Sequence, residues 1–341
     1  MSSSHPYYIQ FYPTLRCTMS CSFCFNAGLK EIGDMPAEDF RKMARILAHS
    51  GIREIDFLGG EPTLHSGIEE MADIALSLGL KTSVSSNGSR IPVAKRLIDA
   101  FGDACVLGIS LNDGRSNSEL DEFLSDSRPL VKSLYRKIGG LEQRIKSVLE
   151  KTHGKFYLIY PDIISGNRED SLPFHEFYDA ISTTQRTMPA VEPVFCSGFL
   201  PESMRYPELS MTRCSAGVTK LGIMPDGSVF PCNLFFGMGE FYIGNIFTDG
   251  FADIWNSPKL SFFRRFEENR CSLKDCNLHA KCHGGCPAHS MKFYGTLDGP
   301  DPRCGGTCQG KMKVSDIREM IMSRRGADAL TEPLALGSLQ D

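Results

Sequence analysis

The chain has 341 residues, of which 41% are hydrophobic and 23% charged, ordinary proportions for a globular protein longer than one average domain. Its formal net charge of −4 gives no general reason to bind nucleic acid or an anionic membrane. No apolar run reaches the roughly 18 residues of a transmembrane helix, and residues 1–10 lack the pattern of a secretory signal, so we expect a cytoplasmic protein without membrane partners.

Cysteine is frequent, with thirteen residues in the chain. In a reducing compartment, cysteines serve as metal ligands or catalytic groups more often than in disulfides. Three of them precede residue 25, nine lie between Cys196 and Cys308, and Cys105 stands inside an apolar run that is typical of a small buried side chain. This distribution predicts two separate metal-binding regions.

The first predicted strand runs from Tyr7 to Leu15, and a short loop with thiols at Cys17, Cys21 and Cys24 follows it. A closed structural zinc site has four ligands, and iron–sulfur clusters are normally held by four cysteines. The next cysteine in the chain is Cys105. The loop therefore supplies three ligands and leaves one coordination position open, as a catalytic centre requires.

A helix is predicted over 36–49, and the next strand, 54–58, ends in the turn GGEP at 59–62. Two glycines allow the backbone to approach a ligand closely, and Glu61 adds a carboxylate. In parallel α/β folds the chemistry lies beyond the carboxyl ends of the strands. We therefore expect this turn and the cysteine loop at the same edge of a sheet.

A helix over 68–78 leads to the third strand, 81–85, which ends in the polar turn SSNG at 85–88. After a helix over 93–101, the fourth strand spans 105–111 and carries Ser110 near its end. The hydroxyl and amide side chains after the third strand are candidate ligand-binding groups, although such residues also simply close turns.

Between residues 116 and 154 the pattern predicts helix, with a break at Gly139-Gly140. A fifth strand over 156–164, a helix over 171–182 and a sixth strand over 191–196 follow. Strand and helix thus alternate six times, which predicts a parallel sheet with right-handed crossovers. Six units fit an open, partial barrel.

From residue 213 onward the composition changes, and short strands flank a turn near Gly227. Cys214 and Cys232 bracket that turn, and the remaining cysteines of this region are Cys271, Cys276, Cys282, Cys286, Cys304 and Cys308. Two sets of four would suit two metal centres, and the spacings are not those of paired zinc knuckles. The nearby His279, His283 and His289 are expected to be solvated loop residues rather than ligands.

The loop at Cys17, Cys21 and Cys24, with Phe23 before its last cysteine, resembles the signature of the radical S-adenosylmethionine (radical SAM) superfamily. The resemblance implies a partial (β/α)6 TIM-like barrel in which the three cysteines hold a [4Fe-4S] cluster whose fourth iron binds SAM. It further implies reductive cleavage of SAM to a 5′-deoxyadenosyl radical, which abstracts hydrogen from a substrate carbon. In the same family, the positions matched here by seven residues contact SAM, namely Gly59, Gly60, Glu61, Ser85, Ser86, Asn87 and Ser110.

The second cysteine group resembles the SPASM extension of radical SAM enzymes, which carries two auxiliary [4Fe-4S] clusters. By that resemblance one cluster is held by Cys214, Cys232 and Cys286, and the other by Cys271, Cys276, Cys282 and Cys304. The fourth ligand of the first cluster is either Cys196 or an open position, and Cys308 is the alternative to Cys304. The implied domains are 1–205 (barrel), 206–310 (SPASM-like) and 311–341 (helix and tail).

Two auxiliary clusters would let a substrate radical lose an electron, so the expected reaction is an oxidation: a crosslink, a dehydrogenation or a decarboxylation. The expected substrate is a peptide or protein, in maturation of a ribosomally made product. With few residues before Cys17 for a peptide-recognition domain, a separate leader-peptide-binding protein is a possible partner, besides an electron donor such as flavodoxin or ferredoxin. The alternatives are a small-molecule dehydrogenase or epimerase acting on an aminosugar or antibiotic intermediate and, in another class, a zinc-binding interaction module.

Overall fold

The computed structural model of the protein describes residues 6–112, 118–136, 140–163, 172–194, 214–265 and 284–304. Ten strands form one sheet: β1 Tyr8–Phe11, β2 Glu54–Phe57, β3 Lys81–Ser86, β4 Cys105–Ser110, β5 Leu130–Leu134, β6 Phe156–Ile159, β7 Val191–Val194, β8 Lys220–Ile223, β9 Ser228–Phe230 and β10 Gly244–Asn245. Nine helices accompany them in the described ranges: α1 Ala37–His49, α2 Ile68–Ser77, α3 Ile91–Phe101, α4 Ser118–Ser127, α5 Leu141–Thr152, α6 Phe174–Thr187, α7 Phe251–Trp255, α8 Ser261–Arg264 and α9 Pro287–Tyr294.

Strands β1 to β7 pair in sequence order, and every pair is parallel. A helix connects each strand to the next, because parallel neighbours need a crossover. This alternation confirms the partial TIM-like barrel. The helical prediction for 116–154 is wrong in its middle, where β5 lies between α4 and α5 and pairs with β4 and β6.

Side chains alternate between the two faces of a strand, so one face of each barrel strand meets the helices and the other faces the barrel interior. On the outer face of β1 and β2, Phe11 and Phe57 pack around Phe40 of α1, with ring centroids 5.2 to 5.6 Å apart. On the inner face, the hydroxyl groups of Tyr8 and Ser83 donate hydrogen bonds to Asp56, at 3.1 and 2.8 Å. The helices thus cover an apolar face and leave polar side chains inside the barrel.

The sheet continues beyond the barrel on the side of β1. Strand β8 pairs with β1 in parallel, and β9 and β10 extend the sheet in antiparallel fashion. The loop after β9, which contains Cys232, folds back onto β1, where Asn233 lies within hydrogen-bond distance of Gln10 and Tyr12. The domain boundaries at 205 and 310 fall outside the described residues and stay predictions. Across the described ranges, no helix is both long and apolar enough to cross a membrane.

Candidate metal and cofactor site

The three-cysteine loop leaves the barrel at the carboxyl end of β1, where the parallel fold places chemistry. Cys17 is exposed, and Cys21 and Cys24 are partly buried. The N–H of Cys24 donates to the carbonyl of Cys21, at 3.1 Å, in a tight turn. Burial raises the pKa of Cys24, the nearby Cys17 adds to this shift, and backbone N–H groups of Asn26 and Ala27 oppose it by donating to the thiol.

The GGEP turn after β2 packs directly on this loop. The N–H of Gly60 donates to Thr14 at 3.0 Å, and the N–H of Glu61 donates to Arg16 at 2.7 Å. A Cβ atom at Gly59 would lie 2.5 Å from the Thr14 carbonyl oxygen, and Gly59 also has a φ of +120°. The sequence led us to expect glycines that approach a ligand, and the structure shows that their close contact is with the backbone preceding Cys17.

The Glu61 side chain is fully buried and joins two turns of the site. Its carboxylate accepts hydrogen bonds from the N–H and hydroxyl of Thr63, at 3.1 and 2.5 Å. It also accepts from the hydroxyl of Ser86 at 2.8 Å and from the N–H of Asn87 at 2.6 Å. Four donors therefore converge on one acceptor, which fixes the SSNG turn of β3 against the GGEP turn of β2.

Replacing Glu61 with glutamine is expected to lower the free energy of unfolding of the apoprotein by about 2 to 4 kcal/mol. The physical reason is that the new amide group would place N–H donors against the donors of Thr63, Ser86 and Asn87. Urea denaturation followed by circular dichroism measures the change.

The matched control for that substitution is Glu54→Gln. Glu54 pairs with Lys81 at 3.3 Å near the surface, where the Lys81 side chain is 70% exposed and that of Glu54 is 37% exposed. This variant should lose less than about 1 kcal/mol, because surface ion pairs contribute little. Equal losses in the two variants would contradict the structural role of Glu61.

Asn87 links the turn after β3 to the cysteine loop. Its amide nitrogen lies 3.6 Å from the sulfur of Cys17 and donates to the Thr18 hydroxyl at 3.2 Å. The Thr18 hydroxyl in turn donates to Ser89 at 2.8 Å. Hydrogen bonds to a thiolate sulfur are a usual means of tuning an iron–sulfur centre. The turns after β1, β2 and β3 thus form one connected site.

Lys132, which lies on the unpredicted strand β5, is a site residue that the sequence did not reveal. Its ammonium group donates to the hydroxyl of Ser85 at 2.6 Å across the inner face of the barrel. Ser110, at the end of β4, is its register partner and is partly buried. Burial lowers the pKa of Lys132, while Asp56 and Glu61 oppose this shift. A cationic donor therefore stands beside two of the predicted SAM contacts.

Three of the predicted auxiliary ligands are buried, namely Cys214, Cys232 and Cys286, each no more than 7% exposed. A hydrogen bond with Cys214 and burial together raise the pKa of Cys286. The N–H of Cys286 donates to the carboxylate of Asp301 at 3.1 Å. Asp301 also pairs with Arg303 at 2.9 Å, so the DPR segment at 301–303 holds the Cys286 backbone in place.

His289 corrects one prediction from the sequence, because it is not a solvated loop residue. It lies in α9, is 1% exposed, and its Nε2 is 2.9 Å from the carboxylate of Asp162, which follows β6. Arg303 also reaches that end of β6, where it donates to the Pro161 carbonyl at 3.0 Å and stacks on Tyr160. These contacts tie the cysteine-rich region to the barrel.

The other predicted ligands Cys271, Cys276 and Cys282 lie outside the described residues, as do both alternatives, Cys196 and Cys308. The backbone of Cys304 ends a single turn of 3₁₀-helix at 302–304. The structure therefore describes one predicted ligand set on a single loop, at Cys17 to Cys24, and part of another, in which Cys214 contacts Cys286 and Cys232 is buried.

The residues present fit the implied clusters. The first cysteine group receives N–H donors, from Asn87 on Cys17 and from backbone groups on Cys24, as iron-bound thiolates usually do. In the described part of the chain, no three Cys, His, Asp or Glu side chains stand close enough together to hold a single metal ion. In a [4Fe-4S] cluster each thiolate binds its own iron, so the thiols need not converge on one point.

Two family models match the chain, the Radical SAM superfamily over residues 11–153 and the SPASM iron-sulfur cluster-binding domain over residues 214–287. Together they account for more than half of the 341 residues. The first match contains the cysteine loop with the turns after β2, β3 and β4, and the second contains Cys214, Cys232 and Cys286.

Two curated proteins and one solved structure illustrate what the chain is similar to. The antilisterial bacteriocin subtilosin biosynthesis protein AlbA of Bacillus subtilis is 26% identical, over 82% of this chain and 67% of its own length. The mycofactocin maturase MftC of Mycobacterium tuberculosis is 25% identical, over 92% of this chain and 86% of its own length. A crystal structure of Streptococcus suis SuiB bound to its precursor peptide SuiA superposes with a TM-score of 0.69, at 20% identity, over 90% and 76% of the two chains.

Fold, site and family models agree on the class: this chain is a radical SAM enzyme. Within that superfamily it belongs to the SPASM subgroup, whose cofactors are SAM and iron–sulfur clusters.

Proposed function

We propose that this enzyme oxidatively modifies a peptide or protein, in maturation of a ribosomally made product. Support comes from AlbA and MftC, whose names place them in bacteriocin biosynthesis and mycofactocin maturation, and from SuiB, which is known in complex with a precursor peptide. The observation that carries the proposal is the connected site in which the turns after β2 and β3 bind the cysteine loop. Small-molecule oxidation and epimerisation remain distinguishable outcomes of the test below.

In this proposal Cys17, Cys21 and Cys24 hold the SAM-binding [4Fe-4S] cluster. When bound, the cluster and SAM supply the 5′-deoxyadenosyl radical that removes hydrogen from the substrate. The residues of the chain position the cluster and SAM. The turn at 59–62 fixes the loop, and the carboxylate of Glu61 fixes the turn that carries Ser86 and Asn87.

Lys132 favours an anionic group at Ser85. The ammonium group already donates to the Ser85 hydroxyl, so a carboxylate that arrives there meets two donors at once. In the family resemblance Ser85 faces the carboxylate and ribose of SAM, with Ser110 near the ribose. We therefore assign Gly59, Gly60, Glu61, Ser85, Ser86, Asn87 and Ser110 to the SAM site, and Lys132 to its electrostatic support.

The cysteine-rich region favours an oxidation over an isomerisation. We assign Cys214, Cys232 and Cys286 to one auxiliary [4Fe-4S] cluster and Cys271, Cys276, Cys282 and Cys304 to a second, for three clusters per chain. Such centres would accept the electron of a substrate radical once its proton has left. A flavodoxin or ferredoxin would deliver the electron that cleaves SAM, and a separate protein would present the leader peptide.

The test is anaerobic incubation of the reconstituted protein with SAM, dithionite and synthetic peptides encoded by short reading frames beside its gene. Liquid chromatography measures 5′-deoxyadenosine, and mass spectrometry measures the peptide. We expect 5′-deoxyadenosine formation that increases with peptide, and a peptide product lighter by about two mass units, the loss of two hydrogens.

The control distinguishes a peptide substrate from a small-molecule substrate. Candidate aminosugars are incubated in parallel under the same conditions. A peptide product of unchanged mass in H2O that is about one unit heavier in D2O would indicate epimerisation. Turnover of the sugars alone would overturn the peptide assignment. Iron analysis of the same preparation checks the cluster number, with about twelve irons per chain expected for three clusters.

A further inference from the structure

Tyr12 lies between the two cysteine groups, although nothing in the sequence connects them. It follows β1 directly, and its N–H donates to the carbonyl of Ile223, the last residue of the adjacent strand β8, at 3.0 Å. The side chain is 0% exposed. It therefore occupies the junction at which the cysteine loop of the barrel meets the loop that contains Cys232.

The phenol of Tyr12 contacts both loops. Its oxygen accepts a hydrogen bond from the side-chain amide of Asn233 at 3.2 Å, and Asn233 is the residue after Cys232. Its ring packs edge-on against Phe236 of the same loop, with centroids 4.7 Å apart. On the other side lies Asn26, two residues after Cys24, which is close enough to lower the pKa of the phenol.

Asn233 and Asn26 are themselves held in place. The N–H of Asn233 donates to the side chain of Gln10 on β1, at 3.4 Å. The amide of Asn26 donates to the carbonyl of Gly59 at 2.7 Å, which joins it to the glycine turn of the site. Asn233 and Asn26 are thus anchored on opposite sides of Tyr12, one to β1 and the other to the glycine turn.

We propose that Tyr12 and Asn233 form the electron route between the catalytic cluster and the auxiliary cluster at Cys232, with Tyr12 as the positioning and coupling residue. This inference rests on the proposed function, since it takes Cys24 and Cys232 as cluster ligands. The path runs from Cys24 through Asn26 and the phenol to Asn233 and Cys232.

The transfer itself changes no bond. One electron leaves the reduced auxiliary cluster and enters the oxidised catalytic cluster, so the first is oxidised and the second reduced. The phenol keeps its proton throughout.

The experiment uses holoenzyme and SAM without substrate. The enzyme is reduced with dithionite, freed of excess reductant and mixed anaerobically with SAM, and 5′-deoxyadenosine is followed while samples are frozen for electron paramagnetic resonance. In the native enzyme we expect a first phase driven by the catalytic cluster. In a second phase the auxiliary cluster re-reduces the catalytic cluster, and the paramagnetic signal of the reduced auxiliary cluster decays.

In Tyr12→Phe we expect the second phase, and the decay of the auxiliary signal, to slow about tenfold, a factor that corresponds to about 1.4 kcal/mol of barrier. Asn233→Ala should slow the same phase. Because both residues belong to one route, the double variant should be no slower than the slower single variant. Urea denaturation of each apoprotein confirms that the variants fold.

The matched control is Tyr242→Phe, which removes the phenol hydroxyl of a residue that is 38% exposed and lies nine residues after Asn233, and it should behave as the native enzyme. The outcomes separate the two proposals. Absence of the first phase in the native enzyme would refute the proposed radical SAM site. A first phase without a second, or a second phase unaffected by Tyr12→Phe, would refute the electron route alone.

Discussion

Simultaneous replacement of Cys17, Cys21 and Cys24 with alanine is expected to reduce SAM cleavage by at least about 10³-fold and to remove about four irons per chain. The loop supplies three thiolates at the carboxyl end of β1, and the next cysteine along the chain is Cys105, on β4. Iron analysis of the anaerobically reconstituted protein and chromatography of 5′-deoxyadenosine measure the two losses.

The triple variant should nevertheless fold. Cys17 is exposed, and the hydrogen bonds that join this loop to the GGEP turn involve backbone groups of Thr14 and Arg16 rather than the thiols. The free energy of unfolding of the apoprotein should therefore change by less than about 1 kcal/mol. The proposed auxiliary ligands Cys214, Cys232 and Cys286 are untouched, so we expect the remaining iron to stay bound.

The matched control is Cys105→Ala. This thiol is 3% exposed on β4, and burial, with a smaller contribution from Asp56, raises its pKa to about 11. It therefore stays a protonated, small apolar group at neutral pH. Cys105→Ala should keep the full iron content and full SAM cleavage. Cleavage that survives the triple replacement would end the assignment of the catalytic cluster to this loop.

The parts of the site that follow strand ends could be predicted from the sequence. Parallel strands place their carboxyl ends at one edge, so a cysteine loop after β1, a glycine turn after β2 and a polar turn after β3 had to meet. The structure places all three in contact, through Gly60, Glu61 and Asn87. For this part of the site, the local sequence pattern and the parallel topology were sufficient to predict which turns meet.

Other parts depend on contacts that no local pattern encodes. Strand β5 has only five residues and is flanked by helices, so the helical pattern around it concealed Lys132. His289 lies in a segment rich in glycine and cysteine, yet its side chain is buried and contacts Asp162, which is far away along the chain. Tyr12 and Asn233 are 221 residues apart and meet only because β8 pairs with β1.

Gly60→Ala is expected to lower SAM cleavage by about 100-fold, because small displacements of positioned groups have effects of that size. A Cβ atom at this position would collide with the carbonyl oxygen of Arg16 and would lie 2.5 Å from that of Leu15. Both atoms belong to backbone rather than to flexible side chains. The segment that leads into Cys17 must therefore move away from the turn.

The loss should appear chiefly in the site rather than in the fold. Overpacking costs about 1 to 3 kcal/mol, which a chain of this size can absorb, and the apoprotein should remain folded in urea titrations. The displaced loop would carry Cys17 away from Asn87, whose amide lies 3.6 Å from its sulfur. We therefore expect an altered resonance spectrum of the catalytic cluster together with slower formation of 5′-deoxyadenosine.

Gly33→Ala provides the matched control. Gly33 lies in the same connection between β1 and α1, and a Cβ atom there would meet nothing within 4 Å. This variant should retain native cleavage, native iron and a native spectrum, because it adds the same methyl group without contact. If Gly60→Ala behaved like Gly33→Ala, the glycine turn would not position the cysteine loop, and its close contact would have no consequence for catalysis.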